Sequence, residues 1–299
     1  MTDPTFGIKT TPVGVTYDDV LRVWQEADAI PAITDAWLWD HLVPIFGPAS
    51  APVLEGWTLL TALAARTERL RMGLLVTNNR TRSPSVLAKI AATVDVISGG
   101  RLVVGLGVGA TDAHVPGQEF AVREFQAYGL PLVPPAEGRE ALAEACTILR
   151  RMWSEEVFDF HGRHYTLTGA VCEPKPIQQP GPPLLLGAWG DRTLRVVAEH
   201  ADIWNVPGPP HYSIDFMRER SAVLDRRCAD IGRDPAEIVR STQLFVSYDD
   251  PASTRETVER LIGAGFAHLV LSILPPYPDS VAAWVADEII RPVAGVPVA

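Results

Sequence analysis

Short apolar runs alternate with amphipathic segments along almost the whole of this 299-residue chain. In the first half, FGIKTT (6–11), DAWLWDHL (35–42), LRMGLLVTN (70–78) and RLVVGLGVG (101–109) read as buried strands. Between and after them, YDDVLRVWQEADAI (17–30), GWTLLTALAART (56–67), PSVLAKIAATVDVIS (84–98) and GREALAEACTILRRMW (138–153) carry helical spacing. The second half repeats the rhythm. Its strands are PPLLLGAW (182–189), ADIWNVPG (201–208), IVRSTQLFVSYD (238–249) and HLVLSIL (268–274), and its helices are 192–201, 213–232, 251–265 and 279–293. Eight strands and eight helices in alternation imply a parallel sheet, and eight such units in about 300 residues fit a (β/α)8 TIM barrel, with a doubly wound sheet as the other arrangement.

Helix starts agree with this count: Pro84 follows Ser83, Ser213 and Thr254 cap or flank their helices, and Gly263 and Gly265 punctuate a helix end. Two stretches interrupt the alternation. Residues 110–137 form a long insertion after strand 4, and 154–183 combine the hairpin-like VFDFHGRHYTLTGAV with the proline-dense EPKPIQQPGPP before strand 5. With 47% hydrophobic residues the chain can bury one large core, and 1–299 is read as a single domain.

The formal charge of −10 argues against nucleic acid or an anionic membrane surface as partner. Three widely spaced cysteines, Cys146, Cys172 and Cys228, suggest neither disulfides nor a zinc ribbon, and a reducing, cytoplasmic setting fits them. The N-terminus has no secretory pattern, and no apolar run approaches about 18 residues.

A barrel concentrates its chemistry at the C-terminal ends of its strands. Strand 2 ends in Asp40-His41, strand 3 in Thr77-Asn78-Asn79, strand 4 in Gly107-Val108-Gly109 followed by Asp112, strand 5 in Gly187-Ala188-Trp189-Gly190, and strand 6 in Trp204-Asn205. Asp40-His41 is either a loop and cap network or a working pair, and its place at a strand end favours the second. GLGVGA (105–110) matches a loose dinucleotide fingerprint, but TDAHVPG follows where a helix should begin, so the glycines are read as allowing close approach of a flat ring or another backbone. The turn at 187–190 leads straight into a helix whose first amides suit a phosphate; the plainer alternative is a helix start capped by Asp191. No GxSxG or Walker A sequence exists, His161 and His164 lack carboxylate companions, and strand 1 offers only FGIKT, so no metal site is expected.

The combination WLWDHL, LVTNNRTRSPSVLAKIAATVDVISGGRLVVGLGVG, EACTILRRMWSEEVFDFHGRHYTL and EPKPIQQPGPPLLLGAWGDRTLRVVAEHADIWN resembles the bacterial luciferase-like monooxygenase superfamily, in its branch dependent on the deazaflavin coenzyme F-420. The resemblance implies an oxidoreductase that moves a hydride between the deazaflavin ring and a small organic substrate. It places the ring over the strand ends, the phosphate at Gly187, Ala188, Trp189 and Gly190, and Asp40 and His41 beside the ring, with His41 in proton transfer. It also implies a non-prolyl cis peptide in a strand-3 bulge near Leu74, Leu75 and Val76, with Thr77 and Asn78 reaching the cofactor and Gly107, Val108 and Gly109 facing it. A second acid falls on Asp112, shorter than the Glu of some relatives. The 110–137 insertion would border the substrate pocket, with His114, Glu119 or Tyr128 reaching it. Two rival readings remain: an FMN-dependent monooxygenase needing a separate reductase, and a non-catalytic flavin or deazaflavin binder. A homodimer is compatible with the resemblance.

Overall fold

The computed structural model describes residues 3–45, 47–48, 50–112, 119–296 and 298. The strands β1 (Thr5–Thr10), β2 (Asp35–Leu38), β3 (Arg71–Leu74, resuming at Thr77–Asn78), β4 (Leu102–Gly107), β5 (Leu184–Gly187), β6 (Ile203–Pro207), β7 (Val239–Phe245) and β8 (His268–Ile273) are joined in parallel. Their order around the sheet is β3-β2-β1-β8-β7-β6-β5-β4, and β3 also pairs with β4, which closes the ring. The expected (β/α)8 barrel is therefore the fold.

Helices α1 (Tyr17–Asp28), α2 (Gly56–Ala64), α3 (Pro84–Ser98), α5 (Pro135–Ser154), α6 (Asp191–His200), α7 (Ile214–Asp230) and α8 (Pro251–Ile262) surround it, and the chain ends in α9, whose segments Val281–Val285, Ala286–Ile290 and Arg291–Val293 include a π turn. The insertion after β4 contributes α4 (Glu119–Ala127), and the stretch before β5 holds an antiparallel hairpin, Phe158–His161 against Thr166–Ala170. Helix starts follow local chemistry. Thr16 and Asp19 form a reciprocal capping box on α1, Ser213 caps α7, and Pro84 occupies the first turn of α3. Asp250, rather than Thr254, caps α8, and Thr254 instead accepts from the Ser247 amide.

Strand side chains alternate between two environments. Outward-facing Phe6, Ile8, Leu38, Leu74, Val104, Leu186, Val206 and Leu271 join the helices in the main core, while Trp37, Val103, Leu185, Ile203 and Val270 form a second, smaller apolar cluster inside the barrel with Leu75. Trp37 fits there because residue 73 is glycine: a Cβ at Gly73 would lie 2.7 Å from the indole and 2.3 Å from the Val103 carbonyl oxygen. Toward the N-terminal end of the strands the interior is polar and saturated. Asp35 accepts from His268 Nε2 (3.0 Å), from the Thr34 hydroxyl (2.7 Å) and from the Trp37 indole, while Ser241 Oγ lies 2.8 Å from His268 Nδ1 and accepts from Asn205 Nδ2 (2.9 Å). Burial pushes the Asp35 carboxyl up, but the attraction and hydrogen bond of His268, together with the hydrogen bonds from Thr34 and Trp37, outweigh it and hold Asp35 below the usual carboxylate range. On the outside of this same end, Arg101 donates to the carbonyls of Ala64, Thr67, Leu70 and Ser98. This end of the barrel is built for stability, which leaves the opposite end for chemistry.

Candidate active site

The C-terminal end of β3 is bulged. Gly73 pairs with Val103 but Thr77 pairs with Leu106, so β3 spends one more residue than β4 over the same distance, and the Leu75–Val76 peptide within this stretch is cis. The non-prolyl cis bond thus lies where the resemblance placed it. The bulge turns Val76 across the barrel mouth, and neighbouring strands make room: a Cβ on Gly107 would lie 2.8 Å from Val76 Cγ2, and one on Gly187 3.2 Å from Val76 Cγ1. A Cβ on Gly105 would meet the Leu74 carbonyl oxygen at 2.0 Å. The glycines of β4 are therefore small so that another backbone and one side chain can approach, which is one of the two approaches expected of them. Gly109, at φ +85°, occupies the left-handed region beside Asn78.

Asp40 is buried (2% exposed), and both its oxygens are taken by Arg82: Nη1 to Oδ2 at 2.6 Å and Nη2 to Oδ1 at 3.0 Å. Arg82 Nη2 also pairs with Glu55, which caps α2 through the amides of Trp57 and Thr58. Burial pushes the Asp40 carboxyl above its ordinary range even though Arg82 pulls it down. Asp40 therefore anchors the start of the loop after β2 to α3's N-terminal approach, and His41 projects from that anchor.

His41 is held from three sides. Its Nδ1 lies 3.2 Å from Glu124 Oε2, and the rings of Trp39 and Phe120 meet it edge-on with centroids at 5.3 Å. Glu124, on α4, is completely buried and its other oxygen accepts from the Leu42 amide. With Glu124 as a carboxylate, which only accepts, Nδ1 is the donor of this pair, and Nε2 is the ring nitrogen not engaged by Glu124. The same helix is fastened to the loop by Arg123 on the Pro44 carbonyl (2.8 Å) and the Tyr128 hydroxyl on the Leu42 carbonyl (3.2 Å). The insertion thus reaches the histidine through Glu124 and Phe120. Tyr128 bonds the loop from an exposed position, Glu119 and Asp112 are exposed, and His114 lies outside the described residues.

The remaining expected residues take varied positions. Thr77 is fully buried and accepts from the Trp57 indole (3.1 Å); Asn78 Oδ1 accepts from the Arg80 amide (2.9 Å) within its turn. At the other side of the mouth, Ala188 donates its amide to Asn205 and its carbonyl receives the Trp204 indole, so the 187–190 turn is fixed to β6. Trp189 tilts against Tyr212 at 5.5 Å. Gly190, not Asp191, is the N-cap of α6; no side chain caps it, and a Cβ there would meet nothing nearer than Thr193 Oγ1 at 3.9 Å. An open helix N-terminus at a strand end suits a phosphate, and a bulged platform between glycines suits a flat ring, so the residues fit a flavin-like cofactor. Among the described residues no cluster of His, Cys, Asp and Glu is arranged to hold a metal.

Residues 4–283 match the luciferase-like monooxygenase family. The chain belongs to this family. Among curated relatives of this luciferase-like protein, the phthiodiolone/phenolphthiodiolone dimycocerosates ketoreductase of Mycobacterium sp. (strain JLS) is 28% identical over 245 residues, covering 76% of this chain and 60% of that one. The chain thus spans three fifths of that relative's length. Among solved structures, a coenzyme F-420-dependent secondary alcohol dehydrogenase in complex with an F-420–acetone adduct superimposes with a TM-score of 0.81 at 15% identity, covering 98% of this chain and 99% of that one. The coenzyme F-420-dependent tetrahydromethanopterin reductase from Methanopyrus kandleri gives 0.78 at 19% identity, covering 97% and 99%.

Among the described residues, no helix of this luciferase-like chain is long and apolar enough to cross a membrane. Two features of its site were absent from the sequence reading. Glu124 is separated from His41 by 83 residues, and only the docking of α4 joins them. Lys9 enters the barrel from β1, where a lone lysine in an apolar strand at inward parity was the available signal.

Proposed function

We propose that this protein is a deazaflavin-dependent oxidoreductase acting on a small organic substrate, with coenzyme F-420 bound across the ends of β2 to β5. The observation that carries the reading is His41, a partly exposed imidazole at the strand-end face whose Nδ1 is committed to the fully buried Glu124. Such a histidine holds one proton position fixed and exchanges at the other. Leu75 and Val76 would support the ring, Gly107, Val108 and Gly109 would border it, Asn78 would approach its polar edge, and Gly187 to Gly190 with the α6 amides would take the phosphate. When bound, the deazaflavin supplies hydride chemistry; the chain supplies orientation, exclusion of water and a proton at His41 Nε2. Asp40 serves by holding the loop through Arg82, and Asp112 remains a second acid only if the loop carries it inward.

The ketoreductase relatives and the two coenzyme F-420-dependent structural neighbours support this reading. The family's monooxygenase members give the second reading, FMN with a separate reductase. Fluorescence titration of the purified protein with coenzyme F-420 and FMN in parallel separates them: tight binding of the deazaflavin alone is expected, and preference for FMN overturns the proposal. His41→Asn should keep deazaflavin affinity within about threefold and lower turnover by about 10²–10⁴-fold, the usual share of a general acid or base.

A further inference from the structure

Lys9 lies at the fifth of the six positions of β1, on the parity that faces the barrel interior, toward the end where the candidate site lies. Its register partners are Trp37 on β2 and Ser272 on β8. From there the side chain crosses the inner face of β8 and hydrogen-bonds Gln243 Oε1 on β7. Lys9 and Gln243 are both only partly buried, whereas the apolar cluster of Trp37, Val103, Leu185, Ile203 and Val270 is closed to solvent. The ammonium is thus lodged on the floor of the barrel mouth.

Its electrostatic situation is unusual. The chain has three lysines; Lys89 donates to the Glu173 carbonyl, and Lys175 donates to the carbonyls of Met152 and Glu155 with Glu173 Oε1 at 3.7 Å. Among the described residues no carboxylate lies within ion-pair distance of Lys9. The groups facing it are Trp37 from β2, Ser272 from β8 and Gln243 from β7; Asp35 and His268, one layer below, are committed to each other. Burial without a compensating charge pushes the Lys9 amine down to about 8. An ammonium carries three donors, and Gln243 uses one. Two donors and most of a positive charge are left facing the mouth. The residues expected to hold the cofactor lie on β2 to β5, so Lys9 and Gln243 address the other half of the ring, formed by β6, β7, β8 and β1.

We propose that Lys9, steered by Gln243, is a substrate-binding residue that receives a carboxylate, so that the small organic substrate of this site is an acid. Two oxygens and one negative charge match two donors and one uncompensated cation. As a statement about substrate this rests on the function proposed above; as a statement about an anion site on the barrel floor it stands alone.

The test follows the side-chain signals of isotope-labelled lysines by NMR as a function of pH, with Lys9→Met identifying the Lys9 signal. Acetate is the probe, and acetamide at matched ionic strength is its uncharged counterpart. Lys9 should titrate near 8 in the free protein and move up by at least about one pH unit with acetate, while Lys89 and Lys175 stay in place and acetamide moves nothing. The proposal is overturned if acetate leaves Lys9 unmoved, if acetamide moves it equally, or if all three lysines shift together. Lys9→Met should match the wild type in thermal stability or exceed it, since the residue it removes is an uncompensated cation, and should bind coenzyme F-420 within about threefold; loss of that binding would reassign Lys9 to the cofactor and overturn the proposal. If the wild-type protein binds no deazaflavin while acetate still shifts Lys9, the functional reading fails and the carboxylate site survives.

Discussion

Replacing Arg82 with Met tests how the loop carrying His41 is anchored. Arg82 is the partner of both oxygens of Asp40, whose side chain is 1% exposed, so the variant leaves a carboxyl group buried without its counter-charge. Removing one member of a buried pair usually costs about 3–5 kcal/mol. Here Asp40 has an escape, because it can take up a proton. Protonating a carboxyl of ordinary pKa at pH 7 costs about 4 kcal/mol, which caps the charge part of the loss; at pH 5 the same step costs about 1.5 kcal/mol. The sign follows from Asp40's raised pKa, which goes further up without Arg82. A group whose folded pKa lies above its unfolded value favours folding most below the ordinary carboxylate range, and that contribution disappears as pH rises through the folded pKa. The pH-dependent charge part of the loss should therefore be about 3–4 kcal/mol at pH 7 and no more than about 1.5 kcal/mol at pH 5, read as the difference between urea unfolding at the two pH values. Glu55 adds little, being half-exposed and still satisfied by the amides it caps. Adding Asp40→Asn should flatten the pH dependence. A loss that is equal at the two pH values, or a double variant that keeps the slope, would refute the assignment of Asp40 as the buried charge that Arg82 compensates.

Glu124→Gln replaces one of two acceptors with a donor facing either the Leu42 amide or His41 Nδ1, so unfolding free energy should fall by about 1–3 kcal/mol and the imidazole tautomer should change, visible in the nitrogen shifts of His41 by NMR. Gly107→Ala drives a methyl to 2.8 Å from Val76 Cγ2; a loss of about 1–3 kcal/mol in chemical denaturation is expected, with weaker deazaflavin binding in the same preparation. Asp35→Asn strips His268 of its carboxylate in the barrel interior and should cost about 3–5 kcal/mol at pH 7. Because Asp35 is held below the usual carboxylate range, the stability it adds is present above that range and fades as pH falls through its folded pKa, so the gap between variant and wild type should narrow in acid unfolding curves.

The barrel was legible because period-two alternation and helical spacing are local properties of the chain, and eight repetitions of them admit few topologies. The strand ends were legible for the same reason: once a strand is placed, its last residues are placed too, as Asp40-His41 shows, whereas the Leu75–Val76 bulge was expected only from the family resemblance. What stayed hidden were partnerships set by docking. Arg82 lies 42 residues from Asp40 and Glu124 lies 83 from His41, and no periodicity encodes either distance. Thr77 and Asn78 show the reverse case. Their position was readable, but their hydroxyl and carbonyl oxygens are engaged by Trp57 and Arg80, which only packing reveals. The glycines of β4 were ambiguous in the sequence because a flat ring and another backbone ask for the same missing Cβ; the Leu74 carbonyl against Gly105 is such a backbone, and the Val76 side chain against Gly107 adds a contact the sequence did not suggest.

The carboxylate that fixes His41 belongs to the inserted helix and not to the barrel. The frame of strands supplies the imidazole, while the inserted segment supplies the carboxylate that faces its Nδ1. Exchanging residues 110–134 between members of such a fold would exchange tautomer control together with the covering of the mouth, so proton chemistry and substrate range would be inherited as one cassette rather than as two independent traits.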